Sequence, residues 1–148
     1  MQKAICLNMI VKNESHIIES TLNNILDHLP IDYWIISDTG STDDTMTIIT
    51  NFFKEKDIPG ELFQDEWKDF GYNRTKALEY AFNKTDYVFI FDADDLIHGD
   101  FKLPIQMDKD KYNIPFENPT FYYRYNPDDS IQQFRANSFL DLIFHPNK

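Results

Sequence analysis

The sequence predicts an α/β domain with a mainly parallel, Rossmann-like sheet, helices on both faces and a short mixed C-terminal part. Apolar runs rich in β-branched and aromatic residues alternate with amphipathic helical patterns through the first 95 residues, which is typical of parallel strands joined by right-handed crossovers. Residues 87–91 are apolar throughout, as expected of a strand covered on both faces. With 148 residues the chain has the length of one ordinary domain, so we predict a single domain over residues 1–148.

The first strand is predicted over residues 4–11, an apolar run that ends in a polar turn. Apolar residues then recur at helical spacing over residues 17–29, which indicates an amphipathic helix. Asn13 or Ser15 is the predicted N-cap of this helix, because both side chains can accept a hydrogen bond from a free backbone N–H.

The second strand is predicted over residues 33–37 and leads into a polar segment. Ser41 or Thr42 is the predicted N-cap of the next helix, with Asp43 and Asp44 in its first turn, where the helix dipole favours negative charge. The predicted buried face of this helix consists of Met46, Ile49, Phe52 and Phe53.

A short third strand is predicted over residues 61–64, and an irregular stretch separates it from a third helix that begins around Asn73. The predicted buried face of the third helix consists of Ala77, Leu78, Ala81 and Phe82. This helix leads to the strand over residues 87–91, which completes a β-α-β-α-β-α-β order.

Beyond residue 95 the pattern changes. Residues 96–119 contain three prolines and are predicted to be mainly loop, with a short strand near residues 112–114. Residues 121–125, 131–135 and 140–144 are predicted as three further short strands that form a mixed or antiparallel edge.

Composition narrows the classes of partner. The formal net charge of −11 argues against nucleic acid and anionic membranes, since both require a basic surface. Cys6 is the only cysteine, so an intrachain disulfide is impossible and a reducing compartment is expected. The start of the chain has too short an apolar stretch for a signal peptide, and no window is long enough to span a bilayer. We therefore expect a cytoplasmic protein, and its oligomeric state stays open.

Three carboxylates follow the strand over residues 87–91, namely Asp92, Asp94 and Asp95. In open α/β sheets ligands bind in the crevice beyond the carboxyl ends of the strands. Clustered acids repel one another, and Mg²⁺ or Mn²⁺ would relieve that repulsion because both prefer oxygen ligands. A polar turn that only caps the next element is the alternative.

Asp38 follows the second strand, at the same predicted edge of the sheet. Its carboxylate can accept a hydrogen bond from a base N–H or a ribose hydroxyl, or it can serve as an N-cap. Arg74 can pair with a diphosphate or with Asp92, because its guanidinium matches planar anions. A surface salt bridge is the alternative role for Arg74.

Four segments together resemble family 2 glycosyltransferases of the GT-A fold: residues 10–14, 38–45, 67–74 and 92–95. They occur in the order and spacing of that family, and the resemblance covers residues 4–100 closely. It implies a metal-dependent glycosyltransferase that uses a nucleotide-sugar, usually a UDP-sugar, with inverting chemistry and an acceptor that the sequence does not identify.

The resemblance also implies roles for individual residues. The predicted nucleotide-sugar contacts are Ile10, Val11, Asn13, Glu14, Asp38, Gly40, Arg74, Asp92 and Ala93. The predicted ligands of Mn²⁺ or Mg²⁺ are Asp92, Asp94 and His145.

The sequence departs from the family near its C-terminal end. Members often carry a His-Glu pair after the last short strand, whereas here His145 is followed by Pro146 and the sequence ends two residues later. We therefore expect a reduced acceptor half, slow transfer and some donor hydrolysis, with Asp95 or Asp141 as candidate base. One alternative is a nucleotide-sugar-binding module without efficient transfer. Another is a phosphatase with Asp92 as nucleophile, which would need more chain behind that residue.

Overall fold

The computed structural model describes residues 3–97 and 107–109 completely, and the backbone of four later strands. The elements are β1 (Ile5–Val11), α1 (Ile18–His28), β2 (Tyr33–Asp38), α2 (Thr45–Lys56), β3 (Gly60–Gln64), α3 (Phe70–Tyr80), β4 (Tyr87–Ile90), β5 (Lys111–Pro115), β6 (Thr120–Tyr125), β7 (Ile131–Ala136) and β8 (Phe139–Phe144). Each predicted strand is confirmed to within one or two residues at either end.

The main sheet has the strand order β3-β2-β1-β4-β8-β5. Strands β1 to β4 are mutually parallel, whereas β8 runs antiparallel to both β4 and β5. Strands β6 and β7 pair with each other as a separate antiparallel ribbon. The predicted α/β fold with a mainly parallel sheet and a mixed C-terminal part is confirmed.

Helices cover both faces of the parallel part, because side chains along a buried strand alternate between the two faces. On β1, Ile5, Leu7 and Met9 belong to the larger core, which the sheet forms with α1 and α2. Cys6 belongs to a smaller core on the opposite face, where Ala81 follows the C-terminal end of α3. The Cys6 side chain is fully buried, and this burial raises the pKa of its thiol to about 12.

The predicted N-caps of the first two helices are wrong. Helix α1 begins at Ile18 and α2 at Thr45, and neither has a side-chain hydrogen bond at its N-cap. Two of the side chains predicted as caps instead connect the loop after β1 to the loop after β2. The Asn13 Oδ1 atom accepts a hydrogen bond from the Thr42 backbone N–H at 2.8 Å, and the Ser41 Oγ atom accepts one from the Asn13 N–H at 2.8 Å.

The third helix begins three residues earlier than predicted. Asp69 is its N-cap, and the Asp69 Oδ1 atom accepts a hydrogen bond from the Tyr72 N–H at 2.7 Å. The prediction that Phe82 is buried is wrong, since this side chain is 53% exposed. Among the helices that the structure describes, none has the length and apolar character needed to cross a membrane.

We predict that Gly60→Ala destabilises the fold, because Gly60 pairs with Trp34 in the sheet and an added Cβ would lie 2.3 Å from the Trp34 carbonyl and ring. Trp34 cannot shift freely, since its ring stacks on Phe53 with centroids 4.5 Å apart. Overpacking of this kind costs about 1–3 kcal/mol or more of the free energy of unfolding. Urea denaturation measures the loss.

Gly71→Ala in α3 is the matched control. Its added Cβ would meet only the Asp69 carboxylate, at 3.4 Å, and alanine is favoured over glycine in helices by about 1 kcal/mol. Equal effects of the two substitutions would contradict the packing argument.

Candidate functional site

The acids after β4 form a tight cluster at the carboxyl edge of the sheet. One ligand oxygen from each of Asp92, Asp94 and Asp95 lies within 4.8 Å of the other two. Burial, followed by the charges of Asp92 and Asp94, raises the pKa of Asp95 to about 6. Opposite oxygens around an octahedral ion with metal–oxygen distances of about 2.0–2.1 Å lie about 4.2 Å apart. Modest side-chain rotations would therefore let these three oxygens hold Mg²⁺ or Mn²⁺.

Helix α1 holds the acidic segment in place. The Thr21 hydroxyl donates a hydrogen bond to the Ala93 carbonyl at 2.6 Å. The Asn24 amide bonds both backbone groups of Ile97, donating to the carbonyl at 2.6 Å and accepting from the N–H at 2.7 Å. Because Ala93 and Ile97 are buried, the backbone is fixed at Ala93, between Asp92 and Asp94, and again at Ile97, two residues after Asp95. Sequence reasoning gave neither Thr21 nor Asn24 a role at the site.

Arg74, in the second turn of α3, reaches the same cluster. Its Nη2 atom pairs with Asp92 Oδ1 at 2.8 Å, which is one of the two partners predicted for it. Its Nη1 atom is buried without a hydrogen-bond partner among the described residues. A buried N–H group without a partner costs about 1–3 kcal/mol, so this nitrogen is a candidate donor to an anionic ligand.

Asp38 ends β2 and is 1% exposed. Its Oδ1 atom accepts hydrogen bonds from the N–H groups of Gly40 at 2.9 Å and Ser41 at 2.8 Å. Gly40 has a φ of 114°, which glycine adopts more readily than any other residue. The second oxygen of Asp38, Oδ2, is buried and has no hydrogen-bond partner within the described part of the chain. One carboxylate therefore shapes the loop and still offers a free acceptor.

A second set of bonds joins the segment after β1 to the segment after β2. Besides the two Asn13 bonds, the Glu14 N–H donates to the Thr45 hydroxyl at 2.9 Å, and the Ser15 N–H donates to the Asp43 carboxylate at 3.2 Å. Hydrogen bonds from Thr45 hold the pKa of Asp43 well below its usual range. These hydrogen bonds hold the two segments together at the carboxyl ends of β1 and β2.

A cavity of about 300 Å³ opens at this edge. It is lined by Ile10, Val11, Lys12, Glu14, Thr39, Trp67 and Phe70. Burial raises the pKa of Glu14, and the negative charges of Asp94 and Asp43 add to the effect. Ile10 and Val11, in the cavity lining, end β1, and the acids follow β4, the parallel neighbour of β1. The cavity and the acidic cluster therefore lie at the same edge of the sheet, beyond neighbouring strands.

The predicted site residues distribute as follows. Ile10, Val11 and Glu14 line the cavity, Asn13 and Gly40 lie in the joined loops, and Ala93 is buried behind the acids. Sequence reasoning assigned no role to Thr39, Trp67 or Phe70; the signal available was two large aromatic residues in an otherwise polar stretch.

The structure describes less of the two predicted site residues near the C-terminal end, Asp141 and His145. Asp141 lies in β8 next to Leu142, which pairs with Phe89 near the carboxyl end of β4. His145 lies outside the described residues. The strand that precedes it ends with Phe144 paired to Tyr87, at the opposite end of β4 from the acids.

Comparison with known proteins supplies independent findings. Residues 6–137 match the sequence profile of glycosyl transferase family 2. The SPbeta prophage-derived glycosyltransferase SunS of Bacillus subtilis (strain 168) is 39% identical over 93 residues, which cover 62% of this chain and 20% of that protein. The chain therefore spans about one fifth of the length of this relative.

Solved structures share the fold at lower identity. A mannosyltransferase from Pyrobaculum calidifontis, PcManGT, in complex with GDP-Man and Mn²⁺ has a TM-score of 0.56 and 23% identity, covering 65% of this chain and 29% of its own. S. aureus TarS 1–349 in complex with UDP has a TM-score of 0.52 and 21% identity, covering 62% and 27% respectively. These similarities concern the fold, which is that of GT-A glycosyltransferases.

We predict that Asn24→Ala destabilises the fold, because it removes both hydrogen bonds to the Ile97 backbone. Each contributes about 1 kcal/mol, so a loss of about 2 kcal/mol in the free energy of unfolding is expected. Asn23→Ala is the control, since Asn23 is the exposed neighbour in the same helix and should change stability by no more than about 0.5 kcal/mol. Urea denaturation that gives the same loss for both variants would show that the Asn24 bonds contribute nothing.

Proposed function

This chain belongs to glycosyl transferase family 2, and on that basis we propose that it transfers a sugar from a UDP-sugar with the help of Mn²⁺ or Mg²⁺. The observation that carries the proposal is the cluster of Asp92, Asp94 and Asp95 beside the cavity that Glu14 also lines. A nucleotide-sugar needs both parts, one for its nucleoside and one for its diphosphate.

At the diphosphate end, we assign Asp92, Asp94 and Asp95 as the residues that hold the cation. Among the described residues Asp92 pairs with Arg74, while no ion pair is found for Asp94 or Asp95. A bound divalent cation would neutralise these acids and stabilise the departing diphosphate as charge builds on its oxygens. The free Nη1 atom of Arg74 would donate to the same diphosphate. The family resemblance also implies His145 as a ligand, and that assignment stays a prediction.

At the nucleoside end, Ile10 and Val11 would pack against the base, and Asp38 Oδ2 would accept a hydrogen bond from it. A buried acceptor without a partner is costly, and a ring N–H of the base would satisfy it. Uracil carries such a group at N3, whereas cytosine has an acceptor there. Glu14, between the cavity and the acids, would face the ribose, while Asn13, Gly40 and Ala93 would shape the loops around it.

For the transfer step we propose inverting chemistry with Asp141 as the general base. The pairing of Leu142 with Phe89 supports this choice, because it brings the backbone of Asp141 near the acidic end of β4. Asp95, the other candidate, would then serve as a cation ligand. A positioned base is typically worth 10²–10⁴-fold in rate, so Asp141→Asn should slow transfer to an acceptor far more than it weakens UDP binding.

We predict that UDP binding, measured by calorimetry, requires the cation and is abolished by EDTA. Opposite charges about 4 Å apart near a protein surface attract by about 4 kcal/mol, so Asp94→Asn should weaken Mn²⁺-dependent binding by at least about 100-fold. Asp108→Asn removes an exposed carboxylate outside the cluster and should leave affinity unchanged. Undiminished binding in EDTA would show that the acids do not act through a metal.

We also predict that Asp38→Asn reverses the base preference. The asparagine Oδ1 atom can keep the bonds to Gly40 and Ser41, while its NH₂ group replaces the free acceptor with a donor. A hydrogen bond to a charged group contributes about 1.5–3 kcal/mol, so UDP affinity should fall about 10- to 100-fold while CDP affinity rises. A uniform loss for UDP and CDP would mean that Asp38 does not contact the base.

A measurement of turnover distinguishes a glycosyltransferase from a module that only binds the nucleotide-sugar. Single-turnover release of UDP from UDP-sugars in the presence of Mn²⁺, with and without a panel of acceptors, is the direct test. Tight binding without any release of UDP would support the binding module.

A further inference from the structure

Two exposed aromatic residues form one wall of the cavity. We propose that the rings of Trp67 and Phe70 stack on the base of the donor nucleotide and supply affinity that does not depend on which base is present. The inference rests on the proposed function, because it takes a nucleoside diphosphate as the ligand. It assigns these two rings, which no other step uses, to donor binding.

The exposure of these rings is the first observation. Trp67 is 40% and Phe70 is 73% exposed, and both line the cavity. Their ring centroids lie 4.9 Å apart at an angle of 85°, so the two rings form a corner instead of burying each other's faces. Large aromatic side chains are normally buried to a greater extent, and an exposed pair at a cavity leaves a ring face available to a ligand.

The backbone that carries the rings is fixed. The Asn73 side chain, which is fully buried, accepts a hydrogen bond from the Lys68 N–H at 2.9 Å and donates one to the Glu66 carbonyl at 3.0 Å. These two bonds flank Trp67. Phe70 is the first residue of α3, directly after its N-cap Asp69. The wall is thus held in position before a ligand arrives, which lowers the entropy cost of binding.

The surroundings of the cavity favour a nucleotide over other occupants. Ile10 and Val11 provide apolar surface in the same cavity, which suits a planar ring that needs apolar contact on both faces. Glu14 lies in the wall and within electrostatic reach of Asp94, so one ligand can extend from the cavity to the acids. A nucleoside diphosphate has this form, with a base at one end, a diphosphate at the other and ribose between them.

Stacking and hydrogen bonding would then have separate effects. Aromatic stacking tolerates any base, since every base has a π-face, whereas an acceptor such as Asp38 Oδ2 discriminates between bases. Trp67→Leu and Phe70→Leu should therefore weaken UDP, CDP and GDP by a similar factor, about 5- to 100-fold for a lost stack. The ratio of UDP to CDP affinity should stay as it is in the unmodified protein.

Tryptophan fluorescence tests the contact directly. The chain has two tryptophans; Trp34 is 5% exposed and Trp67 is 40% exposed. UDP with Mn²⁺ should quench the fluorescence of the unmodified protein, and ribose 5-phosphate, which lacks a base, should not. In Trp67→Phe the quenching should disappear while calorimetry still detects UDP, because phenylalanine retains a ring to stack.

Phe82→Leu is the matched control for affinity, because Phe82 is 53% exposed, follows α3 and does not line the cavity. It should bind UDP like the unmodified protein, and urea denaturation of each variant checks that it is folded. UDP binding that is detected by calorimetry, leaves fluorescence unchanged and is equally strong in Trp67→Leu and Phe70→Leu would overturn the stacking inference but not the proposed function. An unmodified protein that binds no nucleotide with Mn²⁺ would overturn both.

Discussion

The site depends on holding like charges together. Three carboxylates within 4.8 Å of one another repel, and the pKa of Asp95 is raised by burial and, to a smaller extent, by that repulsion. The fold opposes it with hydrogen bonds that do not involve the carboxylates: Thr21 fixes the backbone at Ala93, within the cluster, and Asn24 fixes it at Ile97, just beyond the cluster. Arg74 compensates one of the charges. Functional sites are where such unfavourable local arrangements are expected, with the cost offset by interactions elsewhere in the structure.

The strand order brings the two halves of the site together. Strand β1 lies between β2 and β4, and all three are parallel, so the segments that follow them meet at one edge. The segments after β1 and β2 are joined by hydrogen bonds that the Asn13 and Asp43 side chains accept from backbone N–H groups of the other segment. Asp38 contributes to the loop with one oxygen and leaves the other free. The same residues therefore provide both the rigidity of the edge and its candidate binding groups.

Periodic patterns predicted most of the fold, because buried strands and amphipathic helices reflect a local repeat of apolar residues. The positions of Asp38 and Asp92 at one sheet edge followed from that pattern. The helix caps could not be predicted, since Asn13 and Ser41 bond each other's segments across 28 positions, and no local rule selects that partner over a helix N–H. Asn24 was missed for the same reason: its partner, Ile97, is 73 positions away.

In the proposed function, the negative charge of the chain makes binding of the diphosphate depend on the cation. A chain with a net charge of −11 and a diphosphate repel each other, and Arg74 is already paired with Asp92. The cation is the partner that the acids and the diphosphate would share. Each ligand would then raise the affinity for the other by the same factor, because coupling free energies between two ligands are reciprocal. The rings of Trp67 and Phe70 lie outside this coupling, since contact with an uncharged base involves neither the acids nor the cation, so their contribution would add to the affinity that the cation makes possible without replacing it.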